Sequence, residues 1–303
     1  MRWTPRGQSP DIEDRRQSGG SFGSGGFGGF GGPVLGGPGF GGRSMGLGTL
    51  LLLLLLSFLF RHDLFNSQPT APPQINPQYG SANRGYASAS REAGEETEVQ
   101  FISFVLDDAQ KTWDRLLPQV GIPYRHAKLV LFRDYTASAC GDARSVTGPF
   151  YCPADEKIYL DLGFFDELAN HLGAPGEFGQ AYVIAHEIGH HVQKLVGIEQ
   201  QVSRLRLNNP AAANPLSVRM ELQADCLAGV WGHSTQQRKI VDSSDIAAGM
   251  EAVAAVGDDR LQKMARGHVS PESFTHGSSA ERADWFRRGL ESGEISACNT
   301  FSR

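Results

Sequence analysis

AYVIAHEIGHHVQ, residues 181–193, carries His186, Glu187 and His190 in the order H-E-x-x-H. On a helix, residues four apart share a face. Both imidazoles can therefore reach one metal ion while Glu187, one position along, stands beside an open coordination position. A carboxylate placed there can take a proton from a water on that ion. The chemistry needs a helix, and the sequence supplies one: Phe178, Ala181, Ala185, Ile188, Val192 and Leu195 recur at steps of three and four as a face to bury. Pro175 and Gly176 mark its start and Gly197 its end.

A catalytic zinc usually takes three protein ligands and leaves a fourth position open. His186 and His190 supply two. Extension to H-E-x-x-H-x-x-G-x-x-H would require Gly at 193 and His at 196, where this chain has Gln193 and Val196, so the third ligand has to come from elsewhere. NPLSVRMELQADCLAGVW, residues 214–231, reads as a second helix, with Asn214 to cap it, Pro215 in the first turn and a stripe of Leu216, Met220, Ala224, Leu227 and Trp231. Glu221 and Asp225 lie four apart beside that stripe. Two like charges there repel unless a cation sits near them. The ligand set is then His, His, Glu or His, His, Asp.

The 303 residues hold 28 Lys plus Arg against 33 Asp plus Glu, which gives no basic excess to suggest a nucleic acid partner. Much of the glycine lies between Gly19 and Gly48, in a run without apolar periodicity that reads as disordered. Met45 to Phe60 follows as sixteen uncharged, Leu-rich residues, slightly short of the 17–25 of a spanning helix. More than forty residues precede this apolar core, and Arg61, His62 and Asp63 follow it, which suits an uncleaved anchor better than a signal peptide. Arg2, Arg6, Arg15, Arg16 and Arg43 precede it, so the N-terminus is expected in the cytoplasm and the C-terminal part outside. The expected organisation is a cytoplasmic disordered segment over 1–44, a transmembrane anchor over 45–61, a flexible linker over 62–95 and a folded domain over 96–303.

Cys140, Cys152, Cys226 and Cys298 all follow the anchor, and an even count outside the cytoplasm permits two disulfides in any of three pairings. Cys140 with Cys152 would close a short turn-rich loop; Cys226 with Cys298 would tie the tail to the second helix. Within the domain, Ile102, Leu106, Ala109, Trp113 and Leu116 form a helical face that stops at Pro118. AKLVLF, 127–132, reads as a buried strand. Residues 150–152 and 157–160 read as a hairpin that could offer an edge to an extended peptide, and 164–172 as a short helix.

HEIGHH, ELQADCLAGVW, GDDRLQ and SFTHGSSAER, with the opening MRW and IEDRR, resemble the bacterial neutral zinc metallopeptidases of the YpfJ type. H-E-x-G-H with E-x-x-A-D is more distantly similar to the gluzincins related to CAAX prenyl proteases. The resemblance implies an α+β, zincin-like metallopeptidase domain, mostly helical with a small sheet, preceded by one transmembrane helix. It implies Glu221 as third zinc ligand and Asp225 as the residue orienting a ligand histidine. Those relatives carry a His-Pro segment and a later Arg beside the site; the similar residues here are His276, with Gly277 in place of Pro, and Arg282. His276 would then stabilise an oxyanion or close the coordination sphere. His191 points about 100° away from His190 on the helix and is expected in packing.

The sequence therefore reads as a bacterial metallopeptidase held in the cytoplasmic membrane by a single N-terminal helix. It would have one Zn²⁺ per chain on His186, His190 and Glu221, Glu187 as general base, and a peptide or protein as substrate. A zinc-binding but catalytically idle envelope chaperone or scaffold is the alternative.

Overall fold

The computed structural model describes residues 1–17, 80–144, 148–174 and 176–301, and of 80–93 the backbone alone. The expected anchor over 45–61 lies outside the described residues. Among the described helices none is long and apolar enough to cross a membrane.

A four-stranded sheet in the order β1-β2-β6-β5 supports the helices. β1 (Ile12–Asp14) and β6 (Lys157–Asp161) run parallel to β2 (Lys128–Phe132), and β5 (Phe150–Cys152) pairs antiparallel with β6 as the expected hairpin. Side chains alternate across a strand. Leu129, Leu131, Ile158 and Leu160 accordingly enter the main core, whereas Val130, Phe132 and Tyr159 join Ala143 and Cys152 in a smaller cluster on the other face. Being covered on both sides is why LVLF, 129–132, reads as an unbroken apolar run. Ala143 comes from a separate hairpin, β3 (Tyr135–Ser138) with β4 (Gly141–Arg144), and the Cys140–Cys152 disulfide joins that hairpin to β5.

Against the main face of the sheet packs α1 (Gly80–Leu116), through Ile102, Leu106, Ala109 and Trp113, together with α3 (Glu177–Leu195). α2 (Gly163–Asn170) leads into α3, whose buried face includes the expected Phe178, Ala181, Ala185, Ile188 and Val192. Gly197, with φ +82°, ends that run and starts α4 (Ile198–Asn208). α5 (Ala213–Gln237) crosses α3, and after α6 (Ser243–Ala255) and α7 (Asp258–Arg266) the last helix α8 (Ser279–Ser292) lies along α5. The second disulfide joins Cys226 of α5 to Cys298. A mostly helical domain with a small mixed sheet is thus observed.

Three expectations need correction. Asn214 does not cap α5: the helix starts one residue earlier, and the Asn214 amide donates to the Glu272 carbonyl. The linker over 62–95 is helical from Gly80 onward, because α1 extends well before its buried face. Residues 1–17 are no part of a disordered segment over 1–44, since they supply β1. The Trp3 ring lies 5.3 Å from Phe101, and the Asp11 carboxylate binds Gln110, His126 and Lys128.

Candidate metal centre and active site

Helix periodicity puts His186 and His190 on one face of α3, but a carboxylate reaches them only if α5 comes close. Gly189 permits that: a Cβ there would sit 2.9 Å from the Ala224 carbonyl oxygen of α5. At this crossing, His186 Nε2 lies 3.1 Å and His190 Nε2 3.6 Å from Glu221 Oε2. One donor atom from each of the three lies within 4.8 Å of the others. Tetrahedral zinc with bonds of about 2.0–2.1 Å needs ligand atoms roughly 3.3 Å apart, so this donor set suits that ion once its widest pair draws together.

The histidines are held in the tautomer such a site needs. His186 Nδ1 is 2.8 Å from Asp225 Oδ1, an acceptor only, which places the proton on Nδ1 and leaves the Nε2 lone pair toward Glu221. His190 Nδ1 lies 2.8 Å from Gln193 Oε1, while the Gln193 amide nitrogen donates to Met220 O and Gln223 Oε1. Asp225 is fully buried. It accepts from Tyr182 Oη at 2.6 Å and from Arg282 Nε at 2.8 Å and Nη2 at 3.0 Å. Arg282 also donates to the Val256 carbonyl and the Tyr182 hydroxyl.

The electrostatics follow from two carboxylates facing two imidazoles. Burial alone would lower the pKa of His186, yet Asp225 and then Glu221 outweigh it and raise it to about 10. His190 is raised in the same way against its burial, chiefly by Glu221. Glu221, despite burial, is held well below the usual carboxylate range by His190 and His276. Asp225 is held at about 2, with burial opposed by Arg282 and His186. The carboxylates demand positive charge between the imidazoles, and a divalent ion meets that demand by displacing protons.

Glu187 is buried beside the two histidines. Desolvation raises its pKa, against the lowering influence of His186, His190 and the nearby Tyr151 backbone of β5. A raised carboxylate beside a metal site suits proton transfer in both directions.

His276 is not among the three converging donors. It stands on a loop whose next residue, Gly277, sits beside Val218 and Leu222 of α5, on either side of Glu221. Gly277 has φ +93°, a conformation that glycine adopts freely and that proline's ring cannot reach. Asp258 Oδ2 accepts the backbone N–H groups of Thr275 and His276 at 2.7 Å and of Gly277 at 3.1 Å, and Oδ1 lies 3.3 Å from His276 Nδ1. No spacing rule pointed to Asp258; the one signal was its place at the start of GDDRLQ. His191 bridges the Tyr151 hydroxyl and the Arg125 carbonyl, in packing as expected.

No solved structure matches this chain. The family described as "Putative neutral zinc metallopeptidase" matches residues 1–301. The "Uncharacterized protein YpfJ" of Escherichia coli (strain K12) is 44% identical over 309 residues, spanning 100% of this chain and 99% of its own. The "Uncharacterized protein Rv2575" of Mycobacterium tuberculosis (strain ATCC 25618 / H37Rv) is 41% identical over 201 residues, 63% of this chain and 66% of its own. With the donor set of His186, His190 and Glu221 in place and the match running through it, the chain belongs to the neutral zinc metallopeptidase family.

Proposed function

We propose that this protein is a zinc-dependent peptidase that hydrolyses peptide bonds outside the cytoplasmic membrane, to which residues 45–61 attach it. The observation that carries the reading is the convergence of His186 Nε2, His190 Nε2 and Glu221 Oε2 with Glu187 buried beside them. His186, His190 and Glu221 would hold the ion, which when bound supplies Lewis-acid polarisation of water and of the scissile carbonyl. Glu187 takes a proton from the attacking water and returns it to the leaving nitrogen, a role its raised pKa favours. Asp225 holds the His186 ring, and His276 stabilises charge on the carbonyl oxygen. Substrate backbone has an edge to join at β5, which pairs only with β6 among the described strands. Two disulfides support a place outside the cytoplasm.

The test uses the full chain purified in detergent without added metal. Wild type is expected to carry one zinc, Glu221→Ala to lose it and Asp225→Asn to keep most of it. Glu187→Gln should keep zinc and lose casein cleavage by a factor on the order of 10²–10⁴. Zinc without cleavage, with Glu187→Gln rescuing a deletion phenotype, would transfer the reading to a chaperone or scaffold; absence of zinc would remove both.

A further inference from the structure

The first seventeen residues and the metal-bearing domain are separated in sequence by the apolar stretch of residues 45–60, yet they share one sheet. β1 pairs in parallel with β2 from Ile12 opposite Leu129 to Asp14 opposite Leu131. The Leu129 N–H donates to Asp11 O at 2.8 Å and the Arg15 N–H to Leu131 O at 2.7 Å. Neighbouring strands lie about 4.8 Å apart, whereas the hydrocarbon core of a bilayer is about 30 Å thick. A single crossing between residue 17 and residue 80 cannot leave both strands in place.

The joint is specific rather than an incidental edge contact. Asp11 is buried, and its carboxylate accepts from Gln110 Nε2 at 2.9 Å and Lys128 Nζ at 2.7 Å, with His126 Nδ1 at 2.7 Å. Ser9, also buried, donates to Asp107 of α1. Trp3 lies against Phe101 and Phe104, and the Arg2 N–H donates to Ile240 O beyond α5. These partners come from α1, from β2 with the residues leading into it, and from the loop before α6, so the segment is bound to three separate parts of the domain.

The same segment partners two of the five arginines on which a cytoplasmic N-terminus was expected. Arg15 pairs with Glu13 at 2.7 Å, and Arg16 with Asp14 at 2.6 Å and Glu95 of α1 at 3.6 Å. Glu13 also takes Lys157 of β6 at 2.6 Å. The positive-inside rule concerns cationic loop residues beside a span. Here two of the five arginines are partnered within a folded sheet, so their count carries a structural meaning instead of an orientational one.

We infer that residues 1–17 lie on the same side of the membrane as the metal-bearing domain, so that the apolar stretch does not separate them. This holds whether or not the site cleaves peptides. It replaces the expectation of a cytoplasmic N-terminus opposite an external domain. The segment becomes a structural part of the catalytic unit, and a chain begun at residue 96 would leave the β2 edge unpaired.

Two variants of the full chain test it, Arg6→Cys and Leu207→Cys. Both positions are exposed, Leu207 at 81%. The four native cysteines are in disulfides and leave no background thiol. Each variant is treated with a membrane-impermeant maleimide in right-side-out and in inverted vesicles, with detergent-solubilised membranes as the control for full reactivity. The expected result is that both thiols label in the same vesicle orientation and are protected in the other. Labelling of Arg6→Cys in one orientation and Leu207→Cys in the opposite one would overturn the inference.

Discussion

Two regions of this molecule are laced with charge, and they use it differently. Behind the metal site, Arg282 and Asp225 are almost fully buried, at 5% and 0% side-chain exposure, and share Tyr182 and His186 as partners. At the N-terminal seam, Arg15 with Glu13 and Lys157 with Glu13 are a quarter to a third exposed. A buried pair is strongly coupled and its members cannot be removed singly without leaving an uncompensated charge; an exposed pair is screened by water and salt. The first network therefore fixes one geometry for a reactive centre. The second trims an edge whose attachment rests on strand pairing and on Trp3, Asp11 and Ile12.

The largest effect should come from the buried network. Arg282→Leu leaves Asp225 charged and fully buried without its cation, and loss of one partner of a buried pair costs about 3–5 kcal/mol. Thermal or denaturant unfolding should show that loss, whereas Arg15→Leu at the seam should cost no more than about 1 kcal/mol. Equal destabilisation by the two substitutions would erase the distinction between the regions.

A smaller effect separates orienting from mere folding within the site region. Asp258 gathers three backbone N–H groups of residues 275–277 and the His276 ring. If it acts through His276, Asp258→Asn lowers kcat about tenfold, roughly 1.4 kcal/mol, with KM unchanged. The substitution should then add nothing in a His276→Ala background, because groups acting as one unit are not additive. Full additivity would place Asp258 in general stability alone. The His276 ring nitrogen shifts, followed by NMR on metal-free chain, give the same comparison without an assay: Asp258→Asn should move them.

What could be read from the sequence follows the same division. His186, Glu187 and His190 are fixed to one another by helix periodicity, and Glu221 with Asp225 by the same rule on α5, so each pair is legible from spacing alone. Their meeting depends on the approach at Gly189, for which a sequence offers no rule. Arg282 was visible only through its resemblance to distant relatives. Asp258 was quoted within a motif without a role, since its partners lie some eighteen residues on and bind mainly through backbone. β1 was missed for a different reason. It is three residues long, two of them acidic, and its stability comes from Leu129 and Lys157, more than a hundred residues away. Charges beside a Gly-rich run and an apolar stretch looked like orientation signals because their partners were not in view.

The smallest prediction concerns pH at the seam. Burial alone would lower the pKa of His126, but Asp114 and Asp11 outweigh it and the net shift is upward. For Asp11, burial alone would raise the pKa, but Lys128 and His126 outweigh it and the net shift is downward. A raised histidine contributes stability that is complete below its unfolded pKa of about 6.5 and is lost as pH rises through the folded value. A lowered carboxylate contributes above its unfolded value near 3.8 and loses that contribution as pH falls through the folded one. Between these limits the seam is at its firmest. The stability difference between wild type and His126→Asn should therefore shrink as pH is raised above about 6.5, which paired unfolding curves at matched metal content can read. His126 is 42% exposed, so the change is modest, and it should also shrink with added salt. A difference that stays constant with pH would mean that Asp11 is held at the seam by Gln110 and Lys128 without its histidine.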